Sequence, residues 1–252
     1  MVEARRKPRE TTIDAAEVSR FAAMSREWWA PKGKMRPLHA LNPVRIAFIK
    51  EIACDLFDRS PRKLDCLSGL RILDIGCGGG ILAEPLARLG ADVVGIDPAE
   101  ENVEIAKLHA EQSGLAIDYR ATTAEELADA GERFDIVIAS EVVEHVADLS
   151  LFVKRAAEMV KPGGFMAVTT INRTMKSFAL AIVGAEYVLR WLPVGTHTWD
   201  KFVRPGEMRD RFAANGMNEI DRGGIIFNPL SGEWRRGIDT DVNYMIAAKK
   251  PG

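Results

Sequence analysis

At 252 residues with 47% apolar content, the chain can bury a full core, being long for one minimal α/β unit and short for two. Its formal charge of −2, with acids and bases interspersed, argues against a nucleic acid or a strongly charged surface as partner. Cys54, Cys66 and Cys77, an odd set without C-x-x-C spacing, argue against a disulfide framework and for a reducing compartment; with no signal peptide and no apolar run of about 18 residues, a cytoplasmic protein, at most peripheral to a membrane, is expected.

Residues 1–14 read as a disordered tail. Asp14 with Glu17 forms a capping-box pattern, and Val18, Phe21, Ser25 and Trp28 follow at helical spacing, so a helix over 15–29 is expected. Trp28 and Trp29 cannot share one buried stripe. One of them covers a ligand or another segment, or forms a corner of the core. After a loop, His39 to Arg45 leads into a second helix ending near Phe57, which puts Arg45 in its first turn. A cation is disfavoured there by the helix dipole, so it is either solvated or faced by a carboxylate. The span 15–69 is thus a helical cap on the α/β core.

From Leu70 the pattern becomes strand, glycine loop, helix, strand. Leu70–Ile75 is a doubly buried strand, and Gly76-Cys77-Gly78-Gly79-Gly80 lets the backbone approach a ligand closely. A helix over 81–89 is capped by Gly90, and the second strand ends in Asp97, placed to accept both hydroxyls of a ribose. Gly78 to Ala83 meets a relaxed dinucleotide pattern. Leu73-Asp74-Ile75-Gly76-Cys77-Gly78 instead matches the S-adenosylmethionine loop at every position, with Asp74 to organise the amino-acid end. A helix over 98–113, a strand over 116–120, a short helical segment over 121–127 and a strand over 134–139 complete the first half. The helix over 148–160 leads to a fifth strand over 165–170. Strands near 219–227 and 241–248 have no room between them for a crossover helix and must be antiparallel. The fold class is α/β, Rossmann-like, with a seven-stranded, mostly parallel sheet closed by an antiparallel hairpin. It forms a single domain over 1–252, with the α/β core at 70–252 and an apolar insertion at about 172–204.

Ligands of such sheets bind outside the carboxyl ends of the strands at the switch point, which selects Ser140 to His145. If helical, Glu141, Glu144 and His145 share one face. They could hold a divalent cation that lowers the pKa of an acceptor hydroxyl, or His145 alone could be the base. His109 reads as structural, whereas His39 and His197 lie in loops that can fold toward the site. The stretch from Ser177 to Leu192 carries only Glu186 and Arg190 as charges. Such a helix is a lid, or with Trp191 and its basic surround it meets an anionic membrane surface.

Several blocks together are similar to the ubiquinone-biosynthesis O-methyltransferase family, over about residues 15–248: Trp28-Trp29, Leu38 to Arg45, Asp74 to Glu84, Glu141 to His145, Val183 to Tyr187, Pro193 to His197 and Asp241 to Tyr244. The resemblance implies a class I S-adenosylmethionine-dependent methyltransferase acting on catechol-type hydroxyls of polyprenylated precursors, 2-polyprenyl-6-hydroxyphenol and 3-demethylubiquinol. It implies that Arg45 contacts the methionyl carboxylate, that Gly76 and Gly78 form the cofactor loop, that Asp97 binds the ribose and that Ser140 contacts the cofactor through its backbone. Glu141, Glu144 and His145 match positions that bind a divalent metal such as magnesium in mitochondrial members. Contact with the inner face of the plasma membrane and association with other ubiquinone-pathway enzymes are further expectations. Ala30 and Ala40 depart from the family pattern, where an acid and a base are frequent. A nicotinamide oxidoreductase and a nucleotide-sensing scaffold are the alternatives.

Overall fold

The computed structural model describes residues 11–30, 33–180, 198–228 and 231–252. The branched apolar runs form β1 (Arg71–Ile75), β2 (Asp92–Asp97), β3 (Asp118–Ala121), β4 (Phe134–Ser140) and β5 (Val160–Ile171). These five are mutually parallel in the order β3-β2-β1-β4-β5. Three more come later in the chain: β6 (Asn218–Asn228), β7 (Glu233–Gly237) and β8 (Asn243–Lys249). β8 lies between β5 and β6, antiparallel to both, and β7 forms the edge. All seven expected strands are present. The short β7 is an eighth, in the connection between the two late strands where no strand is expected, and its exposed arginines hide it.

Helices cover both faces of the sheet. These are α1 (Ala15–Ala22), α2 (Arg36–Leu56), α3 (Ala83–Arg88), α4 (Glu100–Gln112), α5 (Ala124–Asp129), α6 (Leu149–Met159), α7 (Met175–Ser177) and α8 (Pro205–Ala214). Strand side chains alternate between faces, so neighbours in sequence enter different cores. Ile72, Val93, Ile136 and Phe165 pack with α2, α3 and α4. Leu73, Val94, Val137 and Met166 pack with α5, α6 and α8.

Three expectations need correction. The first helix ends at Ala22 rather than 29, and a 3-10 turn at Ser25–Glu27 turns the chain so that the two tryptophans diverge. The second helix begins at Arg36, because Pro37 fits a helix's first turn. Arg45 therefore lies mid-helix, where the dipole argument does not apply. Residues 11–14, expected as tail, are seated: Thr12 is buried, its N–H donates to the Glu125 carboxylate, and its carbonyl accepts from the Ala147 N–H at 2.8 Å. Residues 1–10 and most of the apolar stretch, including Arg190, Trp191 and His197, lie outside the described residues. Among the described residues no helix is long and apolar enough to cross a membrane.

Candidate active site

The glycine loop leaves β1 with Gly76 at φ 70° and Gly78 at φ 52°, conformations that a side chain would strain. Space is limiting as well. A Cβ on Gly76 would strike Val142, and one on Gly78 would strike the Trp28 indole. Gly76 lines the central cavity, while Gly78 lies beneath Trp28 and donates its N–H to Asp97 Oδ2 at 3.0 Å.

Asp97 is held at the end of β2 by a fixed set of donors. Its Oδ1 accepts from Ala99 N at 2.9 Å and from Asn102 Nδ2 at 3.2 Å. Asn102 Oδ1 in turn accepts from Trp28 Nε1 at 2.9 Å. Burial pushes the Asp97 carboxyl up, and these hydrogen bonds oppose the shift. Trp29 donates to the Gly79 carbonyl at 2.8 Å and stacks on His109 at 3.5 Å. The tryptophan pair is thus a clamp on the glycine loop. His109 supports that clamp from outside the cavity, as a structural role predicts. His39 lies in α2 rather than in a loop, with its Nε2 2.8 Å from the Trp28 carbonyl.

Asp74 and Arg45 face the same cavity. Asp74 is 2% exposed, with no hydrogen-bond partner for Oδ2, and its carboxyl is pushed up to about 7 by burial and then by the Asp97 charge, against the opposing pull of Arg45. Arg45 Nη2 lies 2.9 Å from Glu141 Oε1. Glu141 Oε1 also accepts from Thr169 Oγ1 at 2.9 Å, and Thr169 Oγ1 is 2.9 Å from Ser140 Oγ.

Glu141 to His145 is not helical, which corrects the shared-face reading. Glu141 has φ 55°, and its N–H continues the sheet by donating to Thr169 O at 2.9 Å. Glu144 is buried below, accepting from Thr170 Oγ1 at 2.8 Å, and burial followed by the Glu141 charge pushes its carboxyl up to about 7. His145 Nδ1 is 3.1 Å from Glu17 Oε2 on α1, and the Phe21 ring meets the imidazole edge-on at 5.1 Å. The imidazole beside it holds the Glu17 carboxyl below its ordinary value.

Each of the three proposed metal positions therefore has another partner. Among the described residues, no group of three or more His, Cys, Asp or Glu side chains comes together to hold a metal ion. The cause lies in the strand: Thr169 and Thr170 are neighbours on β5, so they point to opposite faces, and the carboxylates they hold are drawn apart. As placed, these residues do not fit a shared cation.

The cavity measures about 700 Å³. Its lining includes the polar or loop residues Asp74, Gly76, Asp97 and Arg45 and the apolar side chains of Phe21, Leu41, Ile226, Phe227 and Trp234. Phe227 and Trp234 are cross-strand partners with ring centroids 4.9 Å apart. His145 and Ser140 line it as well. Sequence reasoning missed Asn102, Thr169, Thr170 and the role of Glu17. Two adjacent threonines at the carboxyl end of a switch-point strand were a readable signal; the Asn102 and Glu17 contacts were not.

The antiparallel β8 beside β5 separates this sheet from symmetric dinucleotide folds, and one buried cation with one buried acid beside the loop suits a methionyl end, not a second nucleotide. The molecule is a class I S-adenosylmethionine-dependent methyltransferase, and a family described as "Methyltransferase domain" matches residues 73–168. The ubiquinone biosynthesis O-methyltransferases of Azorhizobium caulinodans and Brucella anthropi are 60% and 59% identical to it, covering 94% and 96% of this chain and 94% and 97% of theirs. The chain belongs to the ubiquinone biosynthesis O-methyltransferase family. Its fold is similar to a magnesium protoporphyrin IX methyltransferase from Synechocystis PCC 6803 with bound SAH, at TM-score 0.56 and 19% identity over 82% of this chain and 83% of that one. A SAM-dependent methyltransferase from Thermotoga maritima gives TM-score 0.59 at 20% identity over 93% and 98%. The nicotinamide and scaffold alternatives fall with these findings.

Proposed function

We propose that the protein transfers the S-adenosylmethionine methyl group to a catechol-type hydroxyl of a polyprenylated ubiquinone precursor. One observation carries this reading: a single cavity is lined by the residues of the glycine loop, by a set of large apolar side chains and by His145. Methyl transfer from a sulfonium is an in-line displacement, so the protein must align the phenolic oxygen and remove its proton. His145 is the proposed base. Glu17 Oε2, 3.1 Å from Nδ1, holds the imidazole in its orientation on the cavity wall. Asp97 is proposed to take the ribose hydroxyls, and Ser140 and Gly76 to border the donor.

The test is incubation with labelled methyl donor and a short-tailed polyprenyl catechol. Label on oxygen is expected, surviving exhaustive chelation. Label on carbon would reject the reaction class, and activity lost to chelation and restored by magnesium would require Glu141, Glu144 and His145 to rearrange around a cation.

The same reading includes reversible contact with an anionic membrane, where a prenyl-tailed substrate is dissolved. At the start of the insertion Met175 is 73% exposed and Leu180 55%, and the adjacent Lys176 pairs with Asp239 and Asp241. Co-sedimentation with anionic vesicles that weakens at high salt is expected. Protein that stays in the supernatant at low salt would mean that a partner protein delivers the substrate.

A further inference from the structure

Arg45 is 3% exposed in the middle of α2, and a guanidinium so buried needs an anion. Glu141 supplies it, and the backbone is bent to make this happen. A non-glycine residue at φ 55° is strained, yet Glu141 is fixed there by its N–H on Thr169 O and by the Thr169 hydroxyl on its own Oε1, both at 2.9 Å. The pair remains incomplete as a hydrogen-bond system. Nη2 is within ion-pair distance of Oε1 but is not aligned for a hydrogen bond, and Nε has no partner either. Asp74 Oδ2, on the wall of the same cavity, is also without a partner. One buried cation and one buried carboxyl with unused capacity, both lining one cavity, match the two charges of an α-amino acid.

We propose that Glu141 is a positioning residue: it holds Arg45 so that the guanidinium receives the carboxylate of the methyl donor's amino-acid end. This rests on the S-adenosylmethionine reading. It also assigns Glu141 a role other than the metal ligand its motif position implies. Thr169 places the Glu141 carboxylate on the α2 face of the sheet, whereas Thr170 holds Glu144 on the face of α6 and α8.

The experiment is calorimetry in the presence of a chelator, using S-adenosylhomocysteine and methylthioadenosine, which lacks the amino-acid end. Wild-type protein, Glu141→Gln and Thr169→Val are compared. Glu141→Gln is expected to weaken S-adenosylhomocysteine by roughly tenfold or more and methylthioadenosine by less than about twofold. Thr169→Val keeps both charges and removes the hydroxyl that holds Glu141 and also meets Ser140 Oγ. It should shift the same ligand in the same direction by a smaller factor, and it serves if Glu141→Gln does not fold. Equal weakening of both ligands would reduce Glu141 to a structural role and overturn the proposal, as would unchanged affinity for S-adenosylhomocysteine in both variants. Wild-type protein that fails to bind S-adenosylhomocysteine at all would remove the donor reading and this inference with it.

Discussion

His145→Ala lowers turnover by about 10²- to 10⁴-fold, the range that a positioned general base contributes, while affinity for S-adenosylhomocysteine stays nearly unchanged. The reason is that the two sets of groups sit on different elements. The groups proposed to take the donor are Asp74, Asp97 and the glycine loop, whereas His145 belongs to the turn after β4 and has Glu17 Oε2 3.1 Å from its Nδ1. Removing the imidazole leaves the donor's contacts in place and deprives the acceptor oxygen of its proton acceptor. His145→Gln, which better preserves the packing against Phe21, guards against a loss through misfolding. Turnover within a few-fold of wild type in both variants would assign the proton transfer elsewhere.

Asp74→Asn should move two properties in opposite directions. The folded-state carboxyl is pushed up to about 7, far above its ordinary value of 3.8, so the folded protein holds this proton where the unfolded chain has released it. Stability from this group is present below the unfolded value and is lost as pH rises through the window between about 4 and 7. Above that window the ligand-free protein carries a buried, underpaired charge at a cost of about 2 to 4 kcal/mol. Asparagine cannot ionise. At pH 8 the ligand-free variant should melt higher than wild type, and near pH 4 the difference should close. Affinity for S-adenosylmethionine should fall by about 1.5 to 3 kcal/mol, as for loss of a hydrogen bond to a charged group. A lower melting temperature at pH 8, or unchanged donor affinity, would contradict the assignment.

The elements legible in the sequence were those whose pattern is local. β1, the glycine loop and β2 could be read because burial on both faces demands branched apolar runs and the turn demands glycine. Asp97 followed from topology, since the end of a second parallel strand lies beside the loop ending the first. Glu141 to His145 follows the carboxyl end of β4, as the topology predicts, but without the helix that its spacing suggests. Helical spacing gave no warning that Glu141 would adopt a left-handed backbone, because that conformation is imposed by Thr169 from a different strand. Arg45 was flagged for a mistaken reason, its supposed place in a first helical turn, although the facing carboxylate was correctly named as one alternative. Contacts such as Glu17 with His145 depend on how α1 lies across the sheet, and nothing within α1 records that.

The position of β8 bears on how the chain assembles. β6 and β7 leave the ribosome first, yet β6 meets the rest of the sheet only through β8, which is synthesised after both. Until β8 inserts, β5 presents an open edge, and the β6–β7 ribbon has no place to dock. The edge residues include Thr169 and Thr170, whose hydroxyls organise Glu141 and Glu144. The half of the site built on β1 and β2 can thus form while translation continues, whereas the half built on β5 matures only when the late strand arrives. A nascent chain halted before Asn243 would hold its glycine loop beside an unfinished sheet, with an exposed strand edge for chaperones to recognise.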